Sequence, residues 1–290
     1  MSTAELVAPA AVRTPRRVST RLLRSELGMI FRRRRNQAIL VVLALVPVVI
    51  GVAIRVSAPP ADADGTQGPP FLFSIAGNGI FVALTALTVV MPLFLPLAVS
   101  VVAGDSVAGE AGLGTLRYLL VVPASRTRVL LVKYAGSVAY CLVAALLVAG
   151  VGVGLGALLF PVGPVTLLSG TTVPLADGLV RLLLISLYVA AMMAGLAAIG
   201  LFVSTLTESS IAAMATTSVL AVISQVLGSV PQVSWLHPWL FTHYWLNYGD
   251  LLRDPIATDG VVRGLLATAA YVLVFGLAAW ARLTTKDVSS

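Results

Sequence analysis

For a chain of 290 residues, the groups able to do chemistry are few: twelve carboxylates, two imidazoles and one thiol. His237 and His243 stand six apart with no carboxylate spaced to complete a metal site, and Cys141 alone offers neither a thiolate cluster nor an internal disulfide. Gly104-Asp105 and Gly249-Asp250 carry the Gly-Asp pair of aspartyl proteases, but no partner carboxylate sits in a neighbouring apolar run. Both read as helix-end residues. A phosphate loop requires Gly-x-x-x-x-Gly-Lys-Ser/Thr, whereas the two lysines, Lys133 and Lys286, follow Val132 and Thr285. The expectation is therefore a chain that is not an enzyme, with no catalytic residue, no metal ligand and no cofactor of its own.

The rest of the sequence is a scaffold for something other than water. Hydrophobic residues make up 58% and charged ones 11%, with a mean hydropathy of +0.99, against roughly 25% charged in soluble domains. Six runs carry no Asp, Glu, Lys, Arg or His: Ala38 to Ile54, Ile80 to Ala103, Tyr134 to Leu159, Leu182 to Val203, Ile211 to Val230 and Gly264 to Ala281. Each is long enough to cross a hydrocarbon core of about 30 Å as a helix. The runs are continuous rather than alternating, which excludes a barrel. An all-α polytopic membrane protein with six transmembrane helices is expected.

With the N-terminus inside, the inward segments hold fifteen of the 19 basic residues, so both termini are expected in the cytoplasm and the chain in the cell membrane. The same clustering explains the net charge of +7 without nucleic acid as a partner. Residues 1–36 form a basic arm, 37–283 the six-span domain and 284–290 a cytoplasmic tail. Within the arm, Leu23, Leu27, Ile30 and Phe31 make one stripe, while Arg21, Arg24, Ser25, Gly28 and Arg32 take the other side. That pattern suits an interfacial elbow helix in the headgroup layer; the alternative is a solvated arm that binds anionic lipid without fixed structure. Val56-Ser57-Ala58 resembles a signal-peptide cleavage site, but the span before it is longer than an h-region and follows an Arg-rich leader.

Pro47, Pro92 and Pro96 lie inside the first two runs, where each removes a helix hydrogen bond. They mark either curved packing helices or flexion points beside a pathway. Gly150/Gly154 and Gly152/Gly156 present small residues on two faces, the spacing for close helix packing. Thr216, Thr217 and Gln225 are polar exceptions in an otherwise apolar interior, which suits a hydrophobic or amphipathic cargo.

The segment from Gly104 to Lys133 is the informative one. Thr115 to Val122 is short and amphiphilic, stops at Pro123, and can present Arg117 to the cytosol as a docking element. Gly104-Asp105, Glu110, Gly114-Thr115-Leu116, Pro123, Ser125-Arg126 and Lys133 follow one another in an order and spacing that resembles the first cytoplasmic loop of ABC-2-type ABC exporter permeases. The resemblance extends over most of the chain: basic elbow helix, six spans, and short membrane-dipping helices between the last two spans, for which Val233 to Asp254 is suited.

The resemblance implies a permease subunit that moves cargo with power from a separate ABC ATPase subunit, present in two copies and holding the ATP and Mg. It also implies a second permease copy, in a homodimer or with a related chain. Glu110, Gly114, Thr115, Leu116, Arg117 and Arg126 would form the ATPase-coupling loop. Arg126 would offer a bidentate partner to a carboxylate on the ATPase or within the loop. A different outcome of the same ATP-driven motion is signalling or maturation of an extracytoplasmic partner, which a large outer domain would favour; Arg55 to Gly79 and Phe160 to Arg181 are short loops.

Overall fold

Runs of Ala, Val, Leu and Gly without a charged break let the backbone satisfy its polar groups locally, through the i→i−4 ladder. The computed structural model of the protein describes residues 21–57, 78–112 and 126–285, nearly all of them helical. The helices are α1 (Arg21–Arg32), α2 (Arg34–Ser57), α3 (Ile80–Val90), α4 (Phe94–Gly112), α5 (Arg126–Leu159), α6 (Leu175–Leu206), α7 (Ser210–Ser229) and α8 (Asp259–Thr285). Among the described residues the only strands are β1 (Val165–Thr166) and β2 (Thr172–Val173), an antiparallel pair with Val165 opposite Val173. Two 3₁₀ segments, Pro231–Trp239 and Asn247–Leu252, lie between α7 and α8, in the stretch where short dipping helices are expected.

Six helices, α2 and α4 to α8, are long and apolar enough to cross a membrane. α6 is the hub: 72% of its most apolar window is buried, against 6% for α8, which lies on the outside of the bundle. Several helices outrun the uncharged runs that announce them. α5 starts at Arg126 rather than Tyr134, and α6 at Leu175 rather than Leu182. The extra turns carry Lys133 and Arg181, whose charges are met by named partners rather than by water: Glu110 and Glu26 for Lys133, and the Leu251 and Arg253 carbonyls for Arg181.

The second run differs more. Instead of one helix over Ile80 to Ala103, the chain leaves the helix at Met91–Leu93 and restarts as α4. Pro92 has no N–H for the Thr88 carbonyl, and Pro96 none for the Pro92 carbonyl, so two rungs one turn apart are missing from the ladder. Pro96 itself falls in the first turn of α4, where a missing N–H costs nothing. Pro47, by contrast, stays inside α2, which runs through it unbroken.

One of the two glycine faces of α5 packs within the chain. A Cβ on Gly152 would lie 2.5 Å from the Ala83 backbone, and Gly156 touches the Gly79 backbone directly. Gly150 and Gly154 face open space.

Candidate functional site

One end of the bundle gathers α1, the starts of α2, α5 and α7, and the ends of α4, α6 and α8. Most of the buried charge sits there, in two adjoining clusters. Lys133, 3% exposed on α5, places Nζ 2.6 Å from Glu110 Oε1 on α4 and 3.5 Å from Glu26 Oε1 on α1. Asp105 on α4 accepts from Arg33 and from Arg35, the latter at 2.8 Å, and its other oxygen accepts from Ser210 at the start of α7. Each carboxylate thus faces at least one cation among the described residues, as its burial demands, since an uncompensated buried charge costs several kcal/mol, about 3–5 when a pair is broken.

The backbone around these groups is shaped to admit them. α1 lies flush on α5 because residue 136 is Gly: a Cβ there would meet Ile30 Cδ1 at 2.7 Å. Gly104 lets α4 touch α7, where a Cβ would come 2.8 Å from the Met214 nitrogen, and Gly109 leaves room for the Asp105 carboxylate one turn away. Ser204 on α6 inserts into the α4 ladder, donating to the Gly104 carbonyl at 2.6 Å and accepting from the Val107 and Ala108 amides at 3.0 and 2.8 Å. Asn36 donates to the Ile30 carbonyl at 2.9 Å and so fixes the junction of α1 and α2. A gap of about 20 Å³ lined by Glu26, Asn36, Asp105, Glu110 and Lys133 is of the size that one water fills.

Arg126, the first residue of α5, donates to the Leu283 and Thr284 carbonyls at 3.0 and 2.9 Å. Its cation therefore caps the C-terminal end of α8, where the helix dipole is negative. Trp280 Nε1 to Thr127 Oγ1, 2.9 Å, fastens the same two helix ends. Gly114, Thr115, Leu116 and Arg117 lie outside the described residues, between Glu110 and Arg126.

The residues marked as a possible pathway divide in two groups. Pro92, Pro96 and Gln225 come together: Gln225 on α7 donates its amide N–H to the Pro92 carbonyl at 2.5 Å, replacing the donor that Pro96 lacks. Beside them is a cavity of about 240 Å³ whose lining includes Met91, Pro92, Gln225, Thr242, His243 and Trp245. Burial, and secondarily the nearby His237, push the His243 imidazole below its ordinary range. The two rings are 6.1 Å apart between centroids. The other group is scattered. Thr217 turns inward, donating to the Ala213 carbonyl at 2.8 Å and packing near Gly200, while Thr216 is exposed and Pro47 is buried on α2.

Sequence reasoning passes over Glu26, Arg33, Arg35, Ser204 and Ser210. Glu26 leaves one signal: it is the lone carboxylate of an otherwise basic helix. Arg33 and Arg35 are hidden among their neighbours, because nothing in a run of four arginines says which ones turn toward a carboxylate.

Among the described residues no three His, Cys, Asp or Glu side chains gather as a metal-ligand set. An apolar six-helix bundle, one helix broken by proline and one end laced with buried ion pairs, defines a helical bundle of the multi-pass membrane type. The chain belongs to the family described as Protein of unknown function (DUF2705), whose model matches residues 40–289. That stretch includes Asp105, Glu110 and Lys133 and begins after Glu26, Arg33 and Arg35. No curated protein matches the chain.

Proposed function

We propose that this chain is the membrane-spanning permease subunit of an ATP-driven exporter of the ABC-2 type, inserted in the cell membrane with both termini in the cytoplasm. The observation that carries the reading is the buried Glu26–Lys133–Glu110 cluster. It ties both roots of the 113–125 segment, the end of α4 and the start of α5, to α1. A partner that pushes on this segment would move α4, α5 and α1 together, because separating them strands a charge in a buried site. The Arg126 cap adds α8 to the same unit.

In this reading α1 is the elbow helix at the inner surface, and the Met91–Leu93 break is the place where α3 and α4 flex. Ion-driven carriers also use broken helices, but pair them with groups that hold the coupling ion. Here the cavity at the break carries no carboxylate among its described lining residues, which favours an external motor over an ion gradient. The cargo is hydrophobic or amphipathic. A six-span chain supplies half of a pathway, so a second permease copy and two ATPase subunits complete the assembly.

Affinity purification of the tagged chain from its native membrane tests this. A nucleotide-binding subunit should co-elute in equal amount, and exchanging charges at Glu110 and Arg117 together should uncouple its ATP turnover from cargo. Uphill accumulation of cargo by vesicles holding this chain alone would overturn the reading.

A further inference from the structure

Two sets of arginines stand out at the charged end. Arg33, Arg35 and Arg126 are held by Asp105 or by helix-end carbonyls. Among the described residues, the guanidinium groups of Arg21, Arg24 and Arg32, all on α1, meet no hydrogen-bond or ion-pair partner. Arg21, Arg24 and Arg32 follow helical spacing and share a face, with Ser25 and Gly28 between them. They border an open cleft of about 850 Å³ lined by Arg21, Arg24, Ser25, Met29, Arg32 and Arg33, with no carboxylate among the described lining residues. Gly28 forms its floor, with open space above.

We propose that this cleft is a binding site for the headgroup of an anionic phospholipid, whose phosphate Arg21, Arg24 and Arg32 hold. A guanidinium fits a phosphate bidentately. Charge complementarity names an anion, and two further features name a lipid rather than an acidic protein face. Met29, 43% exposed, puts an apolar side chain on the rim of the cleft beside the charges, as an acyl-chain neighbour requires and a salt-bridged protein interface does not. The level of the cleft is also fixed: Arg33 N–H bonds the Met29 carbonyl at 3.3 Å and Gln37 N–H the Arg33 carbonyl at 3.1 Å. α1 therefore ends about one turn from the first apolar residues of α2, at headgroup depth for a membrane-inserted α2. The site is independent of what drives the protein.

Native mass spectrometry of the delipidated full-length protein, titrated with phosphatidylglycerol or phosphatidylcholine, tests the proposal. Each arginine near an anionic surface contributes about fivefold to affinity, so R21Q/R24Q/R32Q should weaken phosphatidylglycerol retention about a hundredfold and leave phosphatidylcholine unchanged. R21K/R24K/R32K should keep most of the preference. For the unaltered protein, rising salt should erode phosphatidylglycerol binding alone, a readout that needs no variant to fold. Equal retention of the two lipids, or an unchanged preference in the glutamine variant, overturns the proposal. So does sn-glycerol 3-phosphate binding as tightly as phosphatidylglycerol, which would make this a free-phosphate site. A glutamine variant that keeps its lipid preference but loses a co-purifying protein would assign the cleft to that protein instead.

Discussion

Lys133 stands between two carboxylates that the surrounding helices shield from water. Lys133→Met would leave Glu26 and Glu110 facing each other without the ammonium that joins them, at a cost of about 3–5 kcal/mol. Thermal unfolding of the detergent-purified protein should show a large drop in Tm. Removing all three charges, as in E26Q/E110Q/K133M, should cost less than the single change, because it is the stranded charge that is expensive and not the loss of the ion pairs. A triple variant less stable than K133M would refute this account. The glycines give a sharper contrast. Gly104→Ala would force a methyl against the Met214 backbone, and overpacking of that kind costs about 1–3 kcal/mol. Gly150→Ala points into open space and should leave Tm unchanged or raise it slightly, since alanine favours the helix by about 0.5–1 kcal/mol.

At the scale of elements, the break between α3 and α4 depends on a donor borrowed from α7. Gln225→Leu should cost about 1–3 kcal/mol by leaving the Pro92 carbonyl unsatisfied. In a Pro96→Ala background residue 96 regains an N–H for that carbonyl, so the same Gln225→Leu change should cost at least about 1 kcal/mol less. Additive losses in the four-way comparison would show that the two groups act separately. The positions of Pro92, Pro96 and Gln225 are all visible in the sequence. That they form one unit is not, because the pairing joins residues 133 apart in the chain. The same limit applies throughout. Helix number and rough placement can be read from uncharged runs, since hydrophobic length is a local property. The charged cluster is not read at all: Asp105, Glu110 and Lys133 are singled out only through the resemblance of their loop to a family pattern, and their pairing with Glu26, Arg33 and Arg35 needs the contacts of α1, α2, α4 and α5, which no local pattern encodes. Helix ends are misjudged where a charge inside the fold finds a partner, as Lys133 and Arg181 do.

For the whole molecule, the proposed orientation is open to direct measurement. Ser25 and Thr284 lie at the charged end, and Ser234 lies at the other, in the segment after α7; all three are exposed. Cys141, the one native thiol, is buried and should contribute little background. A membrane-impermeant maleimide applied to intact cells should label S234C, whereas S25C and T284C should react only after the cells are opened. Labelling of S25C from outside would reverse the topology and with it the placement of the 113–125 segment.

Opposite the charged end, one junction holds the start of α3 to the end of α5: Gly79 rests on Gly156 backbone to backbone, Gly79 N–H bonds the Pro161 carbonyl at 3.0 Å, and Asn78 holds the Gly163 and Pro164 carbonyls at 2.9 Å each. Under the proposed function that junction would be an anchor. α3 and α4, 11 and 19 residues long, span about 16 Å and about 28 Å, so a push at Gly112 would act through the longer arm and be taken up as bending at the break beside Gln225, while Gly79 stays put.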